Sequence, residues 1–136
     1  GLVHFSQADW PGAMRRFRDA IAADTAWMLP VLHLGLAASN VGDTPTIDSV
    51  IRVLGPRRVE LAPYDQAGFD AIVAWSTGDR LGAYEAARRA ARLAPSGMAA
   101  AQVGKEALAL GRPREAARVF AALDARSVEL RNAVFY

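Results

Sequence analysis

Apolar residues recur along this chain mostly with the spacing of an α-helix. From Trp10 to Ile21 the apolar side chains follow an i, i+3, i+4, i+7 order, and arginines take the opposite side. Similar patterns predict helices over residues 2–7, 10–23, 27–41, 47–54, 64–77, 81–94, 97–110, 113–124 and 127–136. No strand is needed to account for any segment. The pattern therefore predicts an all-α chain.

Capping and helix-breaking residues mark the ends of these predicted helices. Asp24 or Thr25 suits the N-cap of the helix over 27–41, and Thr46 suits the N-cap of the helix that follows. Gly55 and the proline after it should end that second helix, because this pair disfavours further helical turns. Residues 57–63 are then expected to be an irregular connection.

One helical pattern recurs through the chain, most clearly in residues 78–123. The turn residues are 34, 36 and 33 positions apart: Ala8, Gly42, Gly78 and Gly111. Five positions after each turn comes a small or apolar residue: Ala13, Ile47, Ala83 and Ala116. Seven positions before the later turns lie small residues: Gly35, Ala71 and Gly104. Because glycine and alanine remove bulk, two antiparallel helices are predicted to pack closely at these positions.

These positions resemble those of the tetratricopeptide repeat family, whose unit has 34 residues. Leu34-Gly35 is similar to the Leu-Gly step of the family, and Pro95 is similar to its closing proline. The chain departs from the family pattern at Ile47, where alanine is expected, and in a two-residue insertion within the same unit. Other helix-pair repeats therefore remain open.

The resemblance implies a right-handed α-solenoid of antiparallel helix pairs, a superhelix of the tetratricopeptide repeat type. A single repeat domain would span residues 1–136. It would contain a partial unit over 1–24, units over about 25–60, 61–95 and 96–124, and the start of a further helix over 125–136. The sequence of residues 61–116 also resembles repeat regions that follow kinase or winged-helix domains in bacterial signalling proteins.

Composition supports a helical chain and indicates the type of genome that encodes it. Hydrophobic residues make up 52% of the chain, and 29 of the 136 residues are alanine, the best helix former. Fifteen arginines accompany a single lysine, which is typical of a GC-rich bacterial genome, and cysteine is absent. Both ends look cut from a larger protein. Because no secretory signal pattern is visible and the most apolar window is too short for a membrane span, we expect a cytoplasmic protein.

No motif in the sequence indicates catalysis. The segment from Gly97 to Lys105 lacks the spacing and the following Ser or Thr of a phosphate-binding loop. The two histidines, His4 and His33, are 29 positions apart and have no ligand-spaced partner. We therefore expect neither an enzyme nor a metal or cofactor site.

The resemblance places a partner-binding groove on the first helix of each pair. Its predicted residues are Leu29, Leu32, His33, Leu36, Asn40, Asp65, Phe69, Ile72, Trp75, Met98, Gln102 and Lys105. With one lysine, Lys105, and one asparagine, Asn40, this set lacks the full clamp of Lys, Arg and Asn with which some family members hold a peptide's terminal carboxylate. It is mostly apolar instead, so we expect a protein-interaction or scaffold module that binds an apolar or amphipathic peptide or helix.

Two other functions fit the same sequence. The repeats could be a regulatory region packed against a kinase or transcription-regulator domain of the same chain. Alternatively, a convex arginine stripe could contact nucleic acid: Arg15, Arg16, Arg18, Arg88, Arg89, Arg92, Arg112, Arg114 and Arg118. Interleaved Glu85 and Glu115 and the lack of an aromatic ladder favour a solvated face. The exposed ends of such a stack could also self-associate.

Overall fold

The computed structural model describes residues 1–123 of the chain. Eight α-helices follow one another in these residues: α1 (Leu2–Ser6), α2 (Trp10–Ala23), α3 (Met28–Val41), α4 (Thr44–Leu54), α5 (Pro63–Thr77), α6 (Arg80–Leu93), α7 (Gly97–Ala109) and α8 (Pro113–Ala121). Within this range there is no strand, which confirms the all-α prediction. The helix predicted over 127–136, and the last residue of the unit predicted over 96–124, lie outside the described residues.

Most helix ends use the residues that the repeat predicts. Gly42, Gly78 and Gly111 have φ angles of 69°, 72° and 77°, the left-handed conformation that glycine adopts without strain. The residue after each of two of these turns is an aspartate that caps the next helix. Asp43 accepts the backbone N–H of Thr46 at 3.2 Å, so α4 begins three residues earlier than predicted and Thr46 is not its N-cap.

Two further predictions about local structure are wrong. α4 ends at Leu54 as predicted, but residues Gly55–Glu60 form a 3₁₀ helix that continues directly from it, and the irregular connection was expected to begin at residue 57. Gly55 keeps helical angles, and the chain tightens into the shorter turn at a point where proline cannot donate a hydrogen bond. Asp24 accepts the backbone N–H of Ala26 and stabilises the turn before α3, whose N-cap is Trp27 without a side-chain hydrogen bond.

The helices pack in chain order, and their cores differ in size. Each helix contacts the next one along the chain, and α3 also packs directly against α5. The larger core lies within α2 to α5, where the bulkiest fully buried side chains are Leu32, Leu54, Ile72 and Val50. A smaller cluster joins α6, α7 and α8 through Tyr84, Ala107 and Ala116.

Close helix approach occurs at the glycines that the repeat singled out. A Cβ atom on Gly35 would lie 2.8 Å from Cγ1 of Val50 and 2.9 Å from Cδ1 of Ile72. A Cβ atom on Gly104 would lie 2.7 Å from Cε1 of Phe120. Both distances are too short for a real side chain, so the predicted role of these two glycines in close packing is confirmed.

Candidate partner-binding face

Charge is divided unevenly between the two sets of helices. The helices α3, α5 and α7, the first of each complete pair, contain no arginine and only one lysine, Lys105. The second helices hold three arginines in α2, one in α4, four in α6 and two in α8. The first helices therefore have almost no positive charge, although they contain Asp65, Asp70 and Glu106, whereas the second helices are rich in arginine.

Three of the predicted groove residues are core residues. Leu32, Phe69 and Ile72 are 2%, 4% and 0% exposed and belong to the main cluster between α3 and α5. These helices pack directly on each other, helped by Gly68, where a Cβ atom would already touch both Leu32 methyl groups at 3.9 Å. The sequence prediction is corrected here: these side chains face a neighbouring helix and cannot reach a partner.

His33 also has a position inside the chain. Its ring stacks on Phe17 with centroids 5.5 Å apart and meets the ring of Phe5 edge-on at 6.1 Å. Its Nδ1 atom lies 2.8 Å from the carbonyl oxygen of Leu29. The half-buried imidazole thus closes an aromatic cluster of α1, α2 and α3, and it takes little part in an open surface.

The remaining apolar residues of the prediction stay at or near the surface. We call them, with the neighbouring Leu108, the first-helix face: Leu29, Leu36, Trp75, Met98 and Leu108. Leu29, Met98 and Leu108 are exposed, and Leu36 and Trp75 are half-buried. These five residues lie on three helices, and the exposed Lys105 lies between Met98 and Leu108 on α7.

The polar residues of the predicted groove differ in their exposure and in the hydrogen bonds that they already form. Asn40 is exposed, but its amide already donates to the carbonyl oxygen of Leu36 at 2.8 Å. Asp65 is half-buried and Lys105 is exposed. The exposed Tyr64 was missed, although it is the second residue of α5 as Leu29 and Met98 are of their helices.

A buried carboxylate on α7 accepts a hydrogen bond from a side chain of α5. Glu106 is 8% exposed, and its Oε1 atom accepts from the Trp75 indole N–H at 2.9 Å and from the Gln102 amide at 2.6 Å. We call these three residues the Glu106 cluster. The structure thus brings together two predicted groove residues, Trp75 and Gln102, around a third residue that sequence reasoning missed.

A second polar cluster connects the 3₁₀ helix, α5 and α6. Asp70 accepts two hydrogen bonds of 2.6 Å from Arg58 and one of 2.6 Å from Arg89. The Arg58 guanidinium, aided by Arg89, holds the pKa of the Asp70 carboxyl below its usual value. Arg89 was predicted to lie in a solvated or nucleic-acid-binding stripe, yet its charge is matched within the chain.

Other arginines of the predicted stripe also have partners within the chain. The guanidinium carbons of Arg112 and Arg88 lie 4.9 and 5.6 Å from the centroid of the Tyr84 ring. The Tyr84 hydroxyl donates to Glu115, and this bond, with the nearby arginines, lowers the pKa of the Glu115 carboxyl. These contacts account for part of the stripe without a nucleic acid.

Two shallow cavities lie away from the first-helix face. One of about 400 Å³ is lined by residues of α1 and α2, including His4 and Arg15, and one of about 290 Å³ lies among α6, α7 and α8. Neither contains a residue of the predicted groove. Among residues 1–123 no group of acidic and histidine side chains has the arrangement of a metal site. In the same range no helix is both long and apolar enough to cross a bilayer.

No family model, curated protein or solved structure matches the chain. The resemblance to tetratricopeptide repeats therefore stays a prediction that depends on residue spacing. What the chain binds has to be argued from its own surface and its own polar clusters.

Proposed function

We propose that this chain is a protein-interaction module that binds an apolar or amphipathic helical segment of a partner protein. In this proposal the helix pairs stack as a right-handed solenoid of the tetratricopeptide repeat type. Support comes from the repeat spacing, from the packing of each helix on the next, and from the direct contact between α3 and α5. The first-helix face is the binding surface.

The observation that carries the proposal is the exposure of large apolar side chains on helices that lack arginine. Met98 is 48% exposed and Leu108 is 57% exposed, and both lie on α7, ten positions apart. Leu36 and Trp75 extend the apolar area onto α3 and α5. An apolar area shared by several elements marks an interaction site more often than scattered exposed residues do. A partner helix would bury this area along its own apolar stripe.

The proposal is tested by selecting binders from a phage-displayed library of 15-residue helical peptides against the full chain. We expect enriched peptides to share apolar residues at i, i+3 or i+4 and i+7 spacing. Leu108→Glu or Met98→Glu should weaken their binding about tenfold or more, because each places a carboxylate in the apolar contact. Binding is measured by fluorescence anisotropy with labelled peptides.

Leu93→Glu is the matched control. Leu93 ends α6 and is 52% exposed, close to the 57% of Leu108, but it lies on a second helix. Its substitution should leave peptide binding unchanged. The proposal is rejected if no peptide is enriched, or if Leu93→Glu weakens binding as much as Leu108→Glu does.

A further inference from the structure

The Glu106 carboxylate is only partly satisfied by the chain itself. Both of its hydrogen bonds, from Trp75 and Gln102, reach the same oxygen, Oε1. Among residues 1–123 no donor lies within hydrogen-bond distance of the second oxygen, Oε2. Buried polar atoms almost always have a partner, so an unpaired oxygen of a residue that is 8% exposed needs an explanation.

Charge makes the need for a partner stronger. Both donors to Glu106 are neutral, and in the described part of the chain no cation lies within 4 Å of the carboxylate. Lys105 is the next residue in sequence, but it is exposed and forms no ion pair with Glu106. A buried ionised carboxylate is costly unless a cation compensates it.

Asp70 is a carboxylate of the same chain whose charge is compensated by arginines within the chain. Two guanidinium groups, from Arg58 and Arg89, bind it directly. Glu106 is less exposed than Asp70 and has no such cation, although the chain contains fifteen arginines. Among residues 1–123, Glu106 thus has no counter-charge, whereas Asp70 has two.

The Glu106 cluster lies where a cation from another molecule can reach it. Trp75 and Gln102, the two side chains that donate to the carboxylate, are only half-buried, so part of each one reaches the surface. Trp75 also belongs to the first-helix face, and its indole ring can pack against an alkyl stem or a cationic group. The first helices contain no arginine, and their single lysine, Lys105, is exposed and forms no ion pair with Glu106 among the described residues.

We propose that the first-helix face recognises a basic amphipathic helix, whose lysine or arginine side chain pairs with Oε2 of Glu106. The partner's apolar stripe covers Met98, and its basic side chain enters between Trp75 and Gln102, which lies four positions after Met98 on the same side of α7. This inference rests on the proposed function and adds the charge of the partner. A strictly apolar helix would leave Oε2 of Glu106 without a partner and bind less tightly.

The test repeats the peptide selection with the wild-type chain and with Glu106→Gln, which keeps the shape and the Oε1 acceptor but removes the charge. Peptides selected on the wild type should carry one Lys or Arg at a fixed position beside the apolar stripe. Peptides selected on Glu106→Gln should keep the stripe and lose the basic residue. A wild-type-selected peptide should bind Glu106→Gln about 10–100-fold more weakly, the range for a charge-assisted hydrogen bond.

Glu85→Gln is the control for net charge. Glu85 is exposed on α6, and its substitution removes the same unit of charge as Glu106→Gln does. It should leave the basic preference intact. As a second measurement, lysine in the selected peptide is replaced by norleucine and bound to the wild-type chain. This change should weaken binding to a similar extent. It tests the contribution of the peptide's charge even if Glu106→Gln does not fold.

The outcomes separate this inference from the proposed function. Peptides with an apolar stripe but no basic preference would overturn the role of Glu106 and leave the binding module standing. Equal binding of the lysine and norleucine peptides would do the same. If no peptide binds the first-helix face, both proposals fall.

Discussion

The helices α2 to α5 and the helices α6 to α8 are held together in different ways. The first region buries leucine, isoleucine, valine and phenylalanine side chains in one continuous cluster. The second buries mainly alanines around Tyr84 and adds polar bridges such as Tyr84–Glu115. The second region nevertheless has the clearer repeat in sequence. Regular spacing of small residues thus indicates how closely helices approach, and it says little about how much apolar area they bury.

The largest expected effect concerns the size of the two cores. Ile72→Ala should lower the free energy of unfolding by about 2–5 kcal/mol, because Ile72 is 0% exposed and its loss leaves a cavity. Val103→Ala in the second region should cost only about 1 kcal/mol, since it removes methyl groups that are already half-buried. Urea denaturation followed by circular dichroism measures both. Equal losses would mean that the two cores do not differ in strength.

A second, smaller contrast uses the two close-contact glycines. Gly35→Ala should destabilise the chain by about 1–3 kcal/mol, because the new methyl group meets the stiff side chain of Val50. Gly104→Ala should change stability by less than about 1 kcal/mol, because the half-buried Phe120 ring can move and alanine favours the helix. Thermal melting of the two variants checks this. A larger loss for Gly104→Ala would show that the second region is packed as rigidly as the first.

The smallest expected effect lies at the boundary between the regions, where Asp70 on α5 binds Arg89 on α6. Because the pKa of Asp70 is lowered in the folded chain, its charge stabilises the fold above the unfolded-state pKa of about 4. That stabilisation is lost as the pH falls through the lower folded-state pKa. Asp70→Asn should therefore cost about 1–2 kcal/mol at pH 7, and its difference from the wild type should shrink below about pH 4.

Urea denaturation at pH 7 and pH 3 measures this difference. Asp48→Asn is the control, because Asp48 is exposed on α4 and forms no ion pair among the described residues. It should have the same stability as the wild type at both pH values. A loss for Asp70→Asn that is unchanged at pH 3 would indicate that packing, and not charge, explains the effect.

Local patterns predicted the helices well because their causes are local. The bounds of α2, Trp10–Ala23, follow from a single amphipathic stripe and agree with the structure. Gly35 and Gly104 were recognisable because close helix contact excludes a side chain. The 3₁₀ helix Gly55–Glu60 was missed, since a proline that ends an α-helix can equally start a tighter turn.

The candidate site was harder to predict because it depends on how the helices are rotated against each other. An apolar stripe does not say whether it faces a neighbouring helix or a partner, so Leu32 and Ile72 were assigned to the wrong surface. The Glu106 cluster joins residues 31 positions apart, and its formation depends on which side of α7 meets α5. Its one sequence signal is a glutamate four positions after Gln102, next to the fully buried Ala107.

The order of helix contacts also sets how the chain responds to a pulling force. Helices α6 to α8 pack mainly on their sequence neighbours, whereas α3 also packs on α5, although α4 lies between them in sequence. Tension applied after α8 would peel the last helices away one at a time, each at low force and with a short gain in length. The block from α2 to α5 would resist and then give way in one step. The helices α6 to α8 would thus unfold at lower force than the block from α2 to α5.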